Sequence, residues 1–200
     1  MVEDVRLFHY HLASSCVREL EAAYVERGYA LVARYGRVGT EQVAFAADRG
    51  WAELDELGFG LRLTQLEREG VELVVQPGKW VLPLVDHVGV LLDDDAFAAV
   101  LRRAAEREVA VQERGGRRTF VSTGVGLRLE LRRDDARELA PLQLDLAGAE
   151  PVRQADGLAS LLGLEAADST LSIAGSTITF QPGGPVGRPR LVADEGEIDR

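Results

Sequence analysis

Histidine is scarce in this chain: the three copies fall in two short segments, His9 and His11 in LFHYHL and His87 in VDHVGV. Two glutamates, Glu72 in GVELVV and Glu130 in LRLELR, each follow an apolar residue and precede a leucine. A carboxylate in an apolar strand is costly to bury unless it is paired or bound to a metal. Imidazole and carboxylate together make a donor set for a divalent cation of the Zn, Ni, Mn or Fe type. Cys16 is the only cysteine, so an intrachain disulfide and a thiolate-clustered metal site are both excluded. Any metal must be held by His and carboxylate.

The elements that would position these residues follow from periodicity. Residues 5 to 13 alternate, with Val5, Leu7, His9 and His11 on one face of a strand. Ser14 and Ser15 can cap a helix over 16 to 28, whose stripe is Val17, Leu20, Ala23 and Tyr24 and which stops at Gly28. Strands are expected over 29 to 36, 59 to 67 and 70 to 78. The order then recurs: a strand over 85 to 92, an acidic helix start at Asp93 to Asp95, a helix over 96 to 108, and strands over 109 to 114, 118 to 123 and 126 to 133. Two β-α-β-β-β modules are therefore read, 1–80 and 81–135, the first carrying a helical insertion at 39–58 broken at Gly50. The insertion is either a lid or a packed surface excursion. A third, degenerate module is read over 136–193, followed by a frayed tail over 194–200.

If the first two modules superpose strand by strand, each first strand supplies a histidine and each last strand a glutamate: His9, Glu72, His87 and Glu130. His11 replaces His9 if the first register is off by two. The third module offers Asp145 and Thr179 at those places, which is no metal site; its strand edges could pack on the pair or form a homodimer. The expected fold class is α+β, with curved mixed sheets around a central cavity.

The segments LFHYHLASSCVRELEAAYVERGYALV, VELVVQPG, DHVGV and GLRLEL resemble the glyoxalase, bleomycin resistance and extradiol dioxygenase (vicinal oxygen chelate) superfamily over about 135 of 200 residues. The resemblance implies metal ligands at His9, Glu72, His87 and Glu130, with Glu130 or Glu72 carrying a proton in catalysis. Without Glu72, the remaining His9, His87 and Glu130 resemble the two-His, one-carboxylate face of the ferrous ring-cleaving dioxygenases. The implied functions are a metal-dependent lyase or isomerase, or a dioxygenase, on a small molecule; the alternative is a non-catalytic drug-binding protein. For that alternative Trp51, Trp80, Phe59 and Phe120 are candidate walls.

A formal charge of −10 argues against a nucleic-acid partner, because phosphate-backbone binding relies on Lys and Arg. Arg114, Arg117 and Arg118 read as a solvated hairpin turn, or else as a docking point for an anionic substrate. No apolar run reaches the roughly 18 residues of a membrane helix and the start is not signal-like, so the expectation is a cytoplasmic protein with no membrane partner.

Overall fold

A computed structural model of the chain describes residues 5–114, 118–133 and 136–194; the expectations for Arg117 and for 195–200 fall outside these residues. The elements run β1 (Val5–Ser14), α1 (Val17–Glu26), β2 (Ala30–Val38), β3 (Glu41–Phe45), α2 (Trp51–Glu56), β4 (Phe59–Arg68) and β5 (Val71–Pro77). Next come β6 (Leu84–Leu92), α3 (Asp94–Glu106), β7 (Val111–Arg114), β8 (Arg118–Ser122) and β9 (Arg128–Arg133). The chain continues through β10 (Gln143–Gly148), α4 (Pro151–Leu162), β11 (Ala166–Ala167), β12 (Thr170–Ile173), β13 (Ser176–Pro182) and β14 (Arg190–Asp194). The class is α+β, as the residue patterns predict.

Among the described residues all strands join one mixed sheet of 14 strands in the order β11-β12-β13-β10-β14-β6-β1-β5-β4-β2-β3, with β9, β8 and β7 branching from β6. Three pairs are parallel, β1 with β5, β6 with β9 and β10 with β13, each joining the strand before a helix to a strand that returns after it. At the centre β1 and β6 run antiparallel, placing His11 opposite His87. The two segments that hold every histidine are thus hydrogen-bonded neighbours.

The helices cover one face and bury its apolar side chains. Asp93 caps α3 by accepting from the Ala96 amide at 2.7 Å, an interaction worth about 1 kcal/mol. Ser14 and Ser15 do not cap α1 in the expected way: the N-cap is Cys16, and Ser14 Oγ donates to the Trp80 and Val81 carbonyls while accepting from the Cys16 amide. Strict alternation along the first strand is also corrected. Leu7 pairs with Val90 and His9 with Gly89, so Phe8 is an extra residue in β1. Val5 and Leu7 before it, and Tyr10 and Leu12 after it, all reach the apolar core, while His9 and His11 turn to the other face.

The 39–58 segment is not helical throughout. Its first part, EQVAF, pairs as β3 on the edge of β2, because Glu41 and Val43 continue the strand alternation across the tight turn at Gly39. Its second part, α2, packs behind the sheet: Trp51 Nε1 donates to Glu21 at 2.9 Å, and Arg34 and Thr64 donate to the same buried carboxylate.

The end of the chain also departs from expectation. Asp194, assigned to the frayed tail, closes β14 and is buried. Its carboxylate accepts from Tyr10 at 2.6 Å, from Tyr24, and from Arg27 at 2.7 Å, tying the C-terminal strand to β1 and α1. Removing one partner of a buried charged network costs about 3–5 kcal/mol. Asp194→Ala should therefore lower the urea unfolding free energy by about 3 kcal/mol; an unchanged midpoint would contradict this anchoring.

Candidate metal centre

The site forms where β1, β6 and β9 present their non-helical faces. His87 is set by a second extra residue: His11 pairs with His87 and Leu12 with Val85, leaving Asp86 as an insertion in β6. A bulge of this kind re-aims side chains and lets neighbours in sequence lie side by side. Asp86 Oδ2 accordingly sits 2.9 Å from His87 Nδ1, held by Arg128 and by Arg188 at 2.6 Å. Gly89 lies opposite His9, and a Cβ there would meet the His9 Cβ and the Phe8 ring at 2.7 Å, so the close approach of β1 needs glycine.

His9, His11 and His87 each offer one ligand atom within 4.8 Å of one another, a spacing one metal ion can bridge. His9 Nε2 is 3.2 Å from His87 Nε2, which is 3.1 Å from Glu130 Oε2. Glu130 lies in β9, pairs by register with Gly89 and is fully buried. Its other oxygen accepts from Arg132 Nε at 2.7 Å and faces Arg118 at 3.5 Å. Phe120 closes the wall, edge-on to His87 with ring centroids 5.1 Å apart.

Proton bookkeeping at this point is incomplete. His87 Nδ1 donates to Asp86, which leaves a lone pair at Nε2 facing a carboxylate oxygen that has only lone pairs. His9 Nδ1 and His11 Nε2 are buried without a hydrogen-bond partner among the described residues. A second proton on His87 would repair one of these contacts; a cation would take up the lone pairs of several. The donor set of neutral imidazoles and an ionised carboxylate fits a divalent ion.

The electrostatics favour those states at His9, His11 and Glu130. Burial, then His87, hold His9 well below the ordinary imidazole range, and the same causes hold His11 at about 3. Burial raises Glu130, but the hydrogen bond that a doubly protonated His87 donates to it, with nearby His9, Arg132 and Arg118, outweighs burial and lowers it to about 2.

Of the four residues read as ligands, the structure brings His9 and Glu130 each into contact with His87. Glu72 is elsewhere engaged. It pairs with His9 by register, but its Oε1 takes Arg137 at 2.9 Å and Arg132 at 3.4 Å. His11, the alternative to His9, shares its face, so the two are companions. Of the expected aromatic walls only Phe120 touches the cluster: Trp51 lies behind the sheet, Trp80 is exposed, and Phe59 packs on Phe45 over Gly36. Arg118 reaches the site; its hairpin partner Arg114 stacks over Phe120.

A cavity of about 200 Å³ opens onto the cluster, lined by His9, His11, Glu72 and Val74 and by Tyr35, Arg62, Leu63, Gln65, Arg118 and Arg132. Beside it lies a cavity of about 570 Å³ between β2, β3 and β4; Tyr35 and Arg62 line both. Among the described residues no helix is long and apolar enough to cross a membrane.

Depressed imidazoles make stability pH-dependent with a definite sign. Below pH 6.5 the unfolded chain protonates His11 while the folded chain does not until about pH 3, so folding stability falls on acidification through that window. Glu130 adds to the loss from about 4.5 down to about 2. The metal-free chain should lose thermal stability steadily below pH 6.5, and His11→Gln should flatten the slope. A flat profile from pH 6.5 to 4 in the parent chain would show these imidazoles to be solvated.

No family model matches the chain, and no curated protein matches it. Solved structures do. A triple mutant of 4-hydroxymandelate synthase from Streptomyces coelicolor superposes with a TM-score of 0.58 at 14% identity, covering 94% of this chain and 69% of that one. Homoprotocatechuate 2,3-dioxygenase from Brevibacterium fuscum gives 0.54 at 12% identity, over 94% of this chain and 63% of that. A Mn(II)-bound glyoxalase from Novosphingobium aromaticivorans gives 0.52 at 13% identity, over 96% and 64%. The chain spans about two thirds of the length of these proteins. The resemblance read from the strand motifs is thus borne out in architecture: the chain shares the fold of these proteins.

Proposed function

We propose that the chain is a metal-dependent enzyme acting on a small molecule with two adjacent oxygens, with His9, His87 and Glu130 as ligands and His11 within reach as a further donor. The observation that carries this reading is the convergence of three imidazoles with ligand atoms within 4.8 Å of one another, beside a buried carboxylate 3.1 Å from His87 and with one nitrogen each of His9 and His11 lacking a hydrogen-bond partner among the described residues. A divalent ion of the Zn, Ni, Mn or Fe type would supply Lewis acidity toward the bound oxygens. Asp86 fixes the His87 ring and its tautomer by accepting from Nδ1, and Arg132 orients Glu130.

Within the superfamily, two imidazoles and one carboxylate resemble the ring-cleaving dioxygenases more than the isomerases, whose chemistry asks for a second carboxylate to shuttle a proton. Glu72, read in the sequence as both ligand and proton carrier, is held by two guanidinium groups in the cavity wall. We therefore favour an oxygen-dependent reaction on a catechol-like ring, supported also by the dioxygenase among the structural neighbours.

Two experiments test this. Protein grown with metal supplementation and extensively desalted should retain close to one divalent ion per chain; His87→Ala with Glu130→Ala should abolish retention, while Glu72→Gln should preserve it. Absence of metal from the native protein, with thermal stability indifferent to chelator, would overturn the reading. Oxygen uptake with catechols, compared with thiohemiacetal isomerisation under nitrogen, separates the two chemistries: isomerisation alone would contradict the dioxygenase assignment.

A further inference from the structure

On a chain of charge −10, the trough leading to the histidines is lined by arginine. The outer cavity carries Arg37 and Arg62 and no carboxylate, and neither arginine has an ion-pair partner among the described residues. Arg118 and Arg132 deeper in the trough are engaged with Glu130 and Glu72, so their charge is already compensated.

Arg62 faces the trough for a definite reason. Tyr35 pairs with Leu63 and Gly36 with Leu61, so Arg62 is an extra residue in β4. Thr64 and Leu66 beyond it are buried beneath the sheet, and Leu61 before it packs on the apolar core. The bulge thus leaves Arg62 beside Leu63 on the cavity side. On β2, Arg34 turns to the buried Glu21 while Tyr35 and Arg37 take the opposite, cavity side. Two guanidinium groups without an ion-pair partner among the described residues and a phenol therefore line a cavity of about 570 Å³, which shares Tyr35 and Arg62 with the cavity over His9 and His11.

We infer that Arg37 and Arg62, with Tyr35, form an oxyanion site that recognises a carboxylate or phosphate on the substrate, leaving its oxygen-bearing end to reach the histidines. This deepens the proposed function and rests on it for the word substrate; the anion site itself stands on the arginines alone. A guanidinium presents two parallel N–H donors, matched to carboxylate and phosphate oxygens and poorly matched to a halide.

The test uses the full chain after dialysis against chelator, so that it reads anion binding without any metal. Inorganic phosphate and benzoate are titrated separately by calorimetry at fixed ionic strength in chloride. At least one should bind saturably; Arg62→Ala should weaken it about tenfold, Arg62→Lys less, and Arg37→Ala with Arg62→Ala should abolish it. Arg102→Ala, at an exposed arginine on α3, should leave binding unchanged. Phosphate binding alone marks a phosphorylated substrate and benzoate binding alone a carboxylic acid, and each supports the site. Equal affinity in the parent and the double alanine variant, or no saturable binding by either probe, would overturn it. Absence of metal from the native protein, with anion binding intact, would leave this inference standing even though the proposed chemistry failed.

Discussion

A β-strand offers alternate side chains to opposite faces, and a strand that must seal a core on one side while presenting ligands on the other is bound by that period. In β1 strict alternation would put His9 and His11 on the same side as Val5 and Leu7, inside the apolar layer under the helices. One extra residue, Phe8, reverses the parity, so that Tyr10 and Leu12 continue the core and both imidazoles emerge on the open face. Asp86 does the corresponding work in β6, where Val85 on one side of it and Val88, Val90 and Leu92 on the other all reach the core. Each bulge gives up ladder hydrogen bonds worth about 1 kcal/mol apiece, against roughly 1.5–3 kcal/mol for every large apolar side chain kept buried. The balance favours the bulge.

The polar layer built on this frame is dense with charge, and each buried carboxylate has a named cationic partner. Asp86 is held by Arg128 and Arg188, Glu130 by Arg132, Glu72 by Arg137 and Arg132, Glu21 by Arg34, and Asp194 by Arg27. Such networks add little net stability compared with apolar packing, but breaking one leaves an uncompensated buried charge. They fix geometry: Arg132 bridges Glu130 and Glu72, and Asp86 settles which nitrogen of His87 is free to point at the cluster. Where the three histidines meet, His9 and His11 each keep one buried ring nitrogen without a hydrogen-bond partner among the described residues.

Much of this was legible in the sequence. The repeated order of strand and helix located His9, His87 and Glu130 on equivalent strands, and the apolar flanks of Glu130 marked it as buried. The side-chain faces were not legible, because a bulge is created by the register between β1 and β6, about 80 residues apart in sequence. Glu72 looked like Glu130 along the chain; Arg137, which engages it, comes from 65 residues away. The sequence of β3 reads as helix, since five residues carry too little periodicity to separate the two. Asp194 sits in a charged, glycine-punctuated tail, and only the tertiary fold reveals the two tyrosines and the arginine awaiting it.

The account turns on imidazole and carboxylate sharing one cation. X-ray absorption spectroscopy of the chain loaded with a single equivalent of Mn(II) or Fe(II) reads that coordination shell directly. The expected spectrum shows outer-shell imidazole scattering from at least two histidines plus oxygen donors, reduced by one imidazole in His87→Ala. A shell of oxygen alone, identical in the parent and in that variant, would contradict it.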